Sequence, residues 1–361
     1  MIQIFSIGYA CCLLELNYEE VIYLIKVPIA FICDSHYIIP TAVAITSLIC
    51  NKKPNTYYDI YLIVADLSEK EIEKFNEFRG SNADIHIIKA SLEKIEGIRQ
   101  FLHITSTACL KFDLPNLIPH QDKVLYLDGD VIIQKDLSDL FEINIKDYYA
   151  GVVKDIGLIE NDLNIKNYFN SGVMLLNLKL MRENDTSTAL LNIGRSAERL
   201  TFVDQDCFNI VFDKKVKLLP AIYNCFYKFY LQYKDKYTLE YINKFFKTNY
   251  SYLNNIKKDS FIIHLVGWDK PWIYFDSVFV REWNKYFKKS PFKLHKLKRK
   301  SIKLQKLKQK YIKPREFIVS HNLTNLSYIF FKYWRYHGFK FAMGKVKKRL
   351  FNDKNGLSIH T

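Results

Sequence analysis

Lys123-Val-Leu-Tyr-Leu-Asp128-Gly129-Asp130-Val-Ile-Ile133 is the stretch that decides how this chain is read. An apolar run ends in two carboxylates separated by a single glycine, and a second apolar run starts at once. Residues 123–127 read as a buried strand. Working outward, Pro28–Cys33, Asp59–Ala65 and Asp84–Lys89 are further short apolar runs of the same texture. Between them, Ile39–Cys50 and Ser68–Phe78 carry helical spacing, the second opened by Ser68 with Glu71 three residues on, a capping box. Val173–Asn177 and Phe261–Leu265 are later strands. Such alternation, with strands apolar on both faces, predicts an α/β fold whose sheet is mostly parallel and covered by helices on both sides.

Ligands of such sheets bind beyond the carboxyl ends of the strands. Three strand ends are rich in polar groups: Asp34-Ser-His36-Tyr37, Asp128-Gly-Asp130, and His264 through Trp272. Carboxylates two apart with no side chain between them can face one divalent cation, and hard oxygen ligands select Mg²⁺ or Mn²⁺, ions that usually also hold substrate phosphates. The competing reading of Asp-Gly is a plain hairpin turn. Asp204-Gln205-Asp206 opens a helix-like segment. His264 ends a strand and is followed by Gly267, Lys270 and Trp272; the imidazole can complete a cation's shell and the lysine can meet a phosphate. Asn170-Ser171-Gly172 precedes a strand, as a turn or as part of a site.

The 361 residues are 49% hydrophobic and 25% charged, which excludes a disordered or fibrous chain. The formal charge of +15 is uneven. Residues 288–361 hold 21 Lys and Arg against 2 Asp and Glu, whereas residues 1–287 hold 32 against 36. A mildly acidic body therefore carries a strongly basic C-terminal piece. In it, Lys293–Lys313 predicts a basic amphipathic helix, with Leu297, Leu304 and Tyr311 seven apart. Clustered lysines, an apolar face and the aromatic stretch Tyr328–Tyr336 suit an anionic membrane surface; nucleic-acid binding and a solvated helical face are its rivals. Met1–Leu14 is apolar but lacks the basic start and small-residue cleavage site of a signal peptide. No stretch reaches the roughly 18 charge-free apolar residues of a membrane span. The seven cysteines (11, 12, 33, 50, 109, 207 and 225) show no Cys-x-x-Cys spacing and read as reduced, mostly buried thiols of a cytoplasmic protein.

Five pieces in order carry a resemblance: Ile29–Tyr37, Lys123–Ile132, Tyr168-Phe-Asn-Ser-Gly-Val-Met-Leu-Leu-Asn-Leu178, Asp204-Gln-Asp206 and His264-Leu-Val-Gly-Trp-Asp-Lys-Pro-Trp272. Together they resemble the family 8 glycosyltransferases, in particular the bacterial lipopolysaccharide galactosyl- and glucosyltransferases, over roughly residues 28–290. The resemblance implies a GT-A (Rossmann-like) catalytic domain over 28–290, an N-terminal extension over 1–27 and a basic helical region over 291–361. It implies a retaining, metal-dependent transfer of galactose or glucose from a UDP-sugar to a lipopolysaccharide or lipooligosaccharide core acceptor. By the family pattern Asp128, Asp130 and His264 are Mn²⁺ (or Mg²⁺) ligands, and Asp34, His36 and Tyr37 lie at the uridine. Gly267 and Lys270 meet the diphosphate. Asn170, Ser171, Asp204 and Gln205 line the donor sugar with Asp206 beside them, and Asp204, Gln205 and Asp206 form the catalytic group. The acceptor is expected to be lipid-linked, with the basic region on the anionic inner face of the plasma membrane and no nucleic acid bound. Two departures stand out: His36 occupies a position where the family commonly has Asn, and Cys109-Leu-Lys111 replaces Tyr-x-Arg, so Lys111 keeps a charge at the donor but not Arg's planar fork. Another glycan or a protein as acceptor, or an inactive membrane-associated binding protein, are the alternative readings.

Overall fold

A computed structural model describes residues 24–304 apart from 81, 99–105, 159–162 and 197–199. Among the described residues nine strands form: β1 (Ile25–Cys33), β2 (Thr56–Val64), β3 (Ala83–Lys89), β4 (Lys123–Leu127), β5 (Val131–Ile133), β6 (Ala150–Lys154), β7 (Phe169–Asn177), β8 (Val216–Leu218) and β9 (Ile262–His264). Seven make one sheet in the order β3-β2-β1-β4-β7-β6-β8, and β5 pairs with β9 in a separate ribbon. The β3, β2, β1 and β4 pairings are parallel, β4–β7 and β7–β6 antiparallel, and β6–β8 parallel. The sheet is thus mixed and mostly parallel, as the sequence predicts.

Both faces of the sheet are covered because its strands are apolar on both. In β1, Val27, Ile29, Phe31 and Cys33 join one core cluster with Ala42, Ile45 and Leu48 of the Ile38–Cys50 helix. Ala30 and Ile32 point the other way, into a cluster with Tyr126, Phe208 and Phe212. Successive side chains of a strand alternate between faces, so one β1 segment ties two layers together. A third, aromatic cluster of Phe226, Tyr230, Tyr237 and Trp283 packs under β9.

The chain runs outward from β1 to β2 and β3, then returns to place β4 on the other side of β1. That reversal leaves a crevice at the carboxyl ends of β1 and β4, the place where open α/β sheets bind ligands. Asp34 follows β1 there, and Asp128 follows β4.

Several expectations shift. β1 starts at Ile25, so a domain boundary at 28 would cut through a strand. Asn170-Ser171-Gly172 lies inside β7 and does not precede it. Cys50 is exposed, unlike Cys33, Cys109, Cys207 and Cys225. Residues 293–301 are not helical. Lys300 N–H donates to the Ile273 carbonyl and accepts, through its own carbonyl, from Phe275 N–H, so the segment lies extended along the 273–275 stretch. A helix begins only at Ile302, where the Asp276 carboxylate accepts from the N–H groups of Ile302 and Lys303. Phe292 packs on Phe75 and the Arg299 guanidinium lies over Trp283, so the body continues past residue 290. Residues 1–23 of the expected 1–27 extension and residues 305–361 of the expected 291–361 basic region lie outside the described residues.

Candidate active site

The two carboxylates of the deciding stretch are carried to the crevice by different neighbours. Asp128 N–H donates to the Gly172 carbonyl, which fastens the end of β4 to β7. The Asp130 carbonyl accepts from Leu265 N–H, and the ribbon pairs Val131 with His264. A β-carbon at Gly129 would overlap the Thr41 hydroxyl on the Ile38–Cys50 helix, so this turn tolerates no side chain between its acids.

One ligand atom from each of Asp128, Asp130 and His264 lies within 4.8 Å of the others. His264 Nε2 is 3.1 Å from Asp130 Oδ1, while its Nδ1 meets Asn224 Oδ1 at 3.0 Å. Held at Nδ1 by Asn224, the ring turns Nε2 toward the two acids, and Nε2 is the nitrogen that would bind a metal ion there. The Lys270 ammonium is bonded to the Asp130 carboxylate and to the Leu265 carbonyl. Burial opposes ionisation of Asp130, but Lys270 and His264 overcome it and hold the carboxyl far below its usual range. A β-carbon at Gly172 would collide with His264 Cε1 and Asp128 Oδ2, so the strand opposite must also be bare here. Two hard oxygen ligands and an imidazole facing one another across a gap kept free of side chains fit a Mn²⁺ or Mg²⁺ ion.

A second cationic centre lies beside the first. Lys111 is buried, 2.7 Å from Asp204 and 3.5 Å from Asp128, with its ammonium 4.8 Å from the centre of the Tyr126 ring. Burial disfavours its charge, yet Asp128 and Asp204 raise its pKa well above normal, so it stays an ammonium. Ser171 Oγ donates to the same Asp204 oxygen, Oδ2, at 2.9 Å. Asn170 Nδ2 donates to Gln205 Oε1 at 2.9 Å, and Asn170 Oδ1 accepts from Asn224 at the same distance. One polar network thus runs from Lys270 through Asp130, His264, Asn224 and Asn170 to Gln205.

Asp34 accepts from the N–H groups of His36 and Tyr37 at 3.0 and 3.1 Å, a turn that starts the Ile38–Cys50 helix. Tyr37 sets its ring edge-on to Trp272 with centroids 5.9 Å apart, bringing the β1 end and the 267–272 turn together. Burial, then Asp130 and Asp128, push its phenol well up. His36 is exposed. Asp206 has other business: its carboxylate takes the Tyr168 hydroxyl and the N–H groups of Thr201 and Phe202, closing the start of the Val203–Val211 helix.

Sequence reasoning missed Asn224 and Asp155. Asp155 follows β6 directly, and its carboxylate accepts from Gln205 Nε2 at 3.2 Å. Burial raises its carboxyl, against the bonds from Gly157 N–H and Gln205. The strand-end rule would have found it had β6 been recognised. Asn224 has no such signal, because its role exists only through His264 and Asn170.

The sheet reversal thus brings an Asp-Gly-Asp turn, an imidazole and a lysine-bearing turn to one mouth. The chain matches the model of glycosyl transferase family 8 over residues 28–276 and belongs to that family. It is a glycosyltransferase, of a family whose members typically depend on a metal ion and take a nucleotide-sugar donor and a glycan acceptor. It is 27% identical over 266 residues to a lipopolysaccharide 1,2-glucosyltransferase of Escherichia coli, spanning 66% of this chain and 71% of that protein. Its fold matches the galactosyltransferase LgtC, solved with donor and acceptor sugar analogues, at a TM-score of 0.62 and 23% identity over 73% of this chain and 96% of LgtC. It also matches WbbM, a bifunctional glycosyltransferase, at 0.61 and 20% identity, covering 74% of this chain but only 50% of WbbM.

Proposed function

We propose that this enzyme moves a hexose, galactose or glucose, from a UDP-sugar to a lipopolysaccharide or lipooligosaccharide core acceptor with retention at the anomeric carbon. The observation that carries the reading is the convergence of Asp128, Asp130 and His264 beside Lys270. Asp128, Asp130 and His264 would hold Mn²⁺ or Mg²⁺, which supplies Lewis-acid stabilisation of a departing diphosphate. Lys270, one of two cations on the Asp130 and Asp128 carboxylates, adds a positive charge where the leaving group gains a negative one. Gly267 lets the backbone approach the same group. Asp34 and Tyr37 hold the uridine, with His36 at its exposed edge.

Asn170, Ser171, Asp204 and Lys111 receive the sugar. Gln205 is a poor nucleophile, being an amide, and its oxygen already accepts from Asn170 Nδ2 and Ser171 N–H. Front-face attack follows: the C1–O bond to the diphosphate breaks, the acceptor hydroxyl oxygen bonds C1 on the vacated face, and its proton passes to the departing phosphate oxygen. Asp206 serves this group indirectly, by closing the helix that carries Asp204 and Gln205. A hollow lined by Asp155, Phe226, Phe229, Tyr233 and Trp268 opens next to Gln205 and has the aromatic walls a sugar ring stacks on. The lipopolysaccharide acceptor is favoured by the similarity to the E. coli glucosyltransferase. Residues 291–361 would place the enzyme on the anionic inner face of the plasma membrane. Among the described residues no helix is long and apolar enough to cross a membrane.

A panel of UDP-sugars with Mn²⁺, read by UDP release, tests the reading. UDP-galactose or UDP-glucose should give metal-dependent release, and Asp130→Ala should lower it by about 10²-fold or more while keeping the circular-dichroism spectrum. Near wild-type release by Asp130→Ala would remove the carboxylate from the site.

A further inference from the structure

The 267–272 turn is held from behind by a feature the reaction itself does not require. Lys228 and Asp269 are buried side chains, 0% and 2% exposed, with Nζ 2.7 Å from Asp269 Oδ1. One helical turn on from Lys228, Gln232 Nε2 donates to Asp269 Oδ2 at 2.8 Å. The Asp269 carbonyl accepts from Ser277 Oγ at 2.7 Å. Side chain and backbone of this one residue are thus tied to the Tyr227–Gln232 helix on one side and to Ser277 on the other. Asp269 stands two residues after Gly267 and one before Lys270. The Lys228 ammonium also lies 3.9 Å from where a Gly267 β-carbon would stand.

We propose that Asp269, gripped by Lys228 and Gln232, is a buried clamp that positions the Gly267–Lys270 turn to receive a nucleoside diphosphate. This rests on the donor reading above and adds positioning residues that do not touch the substrate. A buried ion pair adds little net stability over apolar residues of the same shape, whereas removing one partner strands the other charge. Burial pulls the Lys228 ammonium down to about 8 even with Asp269 beside it. What the pair supplies is geometry: a carboxylate held by one ion pair and one hydrogen bond from a single helix fixes the departure point of the next residue, Lys270. Without it, Lys270 keeps its bonds to Asp130 and Leu265 only through a turn that is free to shift, and a displacement of the order of 1 Å is enough to cost affinity and rate.

The test is a cycle of Lys228→Gln, Asp269→Asn and the double variant in the full chain, with UDP affinity in the presence of Mn²⁺ and the thermal midpoint both measured. Each single variant should bind UDP about tenfold more weakly, and the double, whose two amides can still hydrogen-bond, should recover to within about threefold of wild type. With UDP-sugar the loss should fall on KM more than on kcat. Gln232→Met removes only the neutral arm, and should weaken UDP binding by about threefold with little change in midpoint, which keeps the test open if a single charge variant fails to fold. Folded single charge variants that bind UDP within twofold of wild type, whatever their midpoints, overturn the clamp. Wild-type protein that binds no UDP with Mn²⁺ overturns the donor reading itself.

Discussion

Gly172 shows how much of this site rests on a missing side chain. It lies on β7 opposite Asp128 and close to the His264 ring, and a methyl group there would overlap both. Gly172→Ala should therefore weaken Mn²⁺ binding by about tenfold or more, since one ligand must move to admit it. Titration calorimetry with Mn²⁺ checks this, and unchanged affinity would mean that the pair adjusts freely. At this scale the acid-glycine-acid spacing was legible as a candidate cation site, because two carboxylates flanking one glycine can face one ion, but a plain Asp-Gly turn reads the same way in sequence. His264, Lys270, Asn170 and Gln205 were legible as candidates beside strand ends and polar breaks, and the family resemblance gave them their roles. Asn224 and Asp155 were visible through neither. Asn224 is defined by a hydrogen bond to a histidine 40 positions away, which no local pattern encodes.

At the scale of elements, strand positions were legible because a strand buried on both faces leaves an unbroken apolar run. The helical reading of 293–313 failed over its first turns for a physical reason. Leucines spaced by seven say what a helix would bury, not whether one forms. Backbone pairing of Lys300 with Ile273 and Phe275, and the cap offered by Asp276, defer the helix to residue 302. The sheet carries its own polar strut far from the active site. Asp59 on β2 accepts from Tyr61 at 2.9 Å and pairs with Lys26 at 3.0 Å and His86 at 2.7 Å. Burial would raise its carboxyl, but the bonds from Lys26, Tyr61 and His86 win and hold it low. A carboxyl depressed in the folded state contributes stability above its unfolded value, about 3.9, and loses it as pH falls through the folded value. Urea unfolding should thus show wild type ahead of Asp59→Asn at pH 7, with the gap closing below about pH 4. A gap that stays constant down to pH 3 would deny the carboxylate this role.

Across the whole molecule, the charge is divided between a near-neutral enzyme body and a basic C-terminal piece. Only the start of that piece is described. There Lys293, Lys296, Lys298, Lys300 and Lys303 stand with exposed Leu294 and Leu304. Juxtaposed lysines near an anionic surface contribute about 1 kcal/mol each, so binding should be steep in lipid charge and in salt. The full chain should float with phosphatidylglycerol vesicles at low salt, release at about 0.5 M salt, and stay unbound on phosphatidylcholine. Flotation that ignores lipid charge would remove the electrostatic anchor. The body's fold was legible from the order of strands, whereas the packing of residues 291–300 onto Phe75, Trp283 and the 273–275 stretch was not, because their lysine-rich composition resembles that of a free tail.

The most direct test is an anomalous-scattering map from crystals soaked with Mn²⁺ and UDP. The account predicts one strong peak ligated by Asp128, Asp130 and His264, in contact with the diphosphate, with Lys270 turned onto the same phosphates. A peak elsewhere, or a diphosphate bound away from Lys270 and the three ligands, would contradict it.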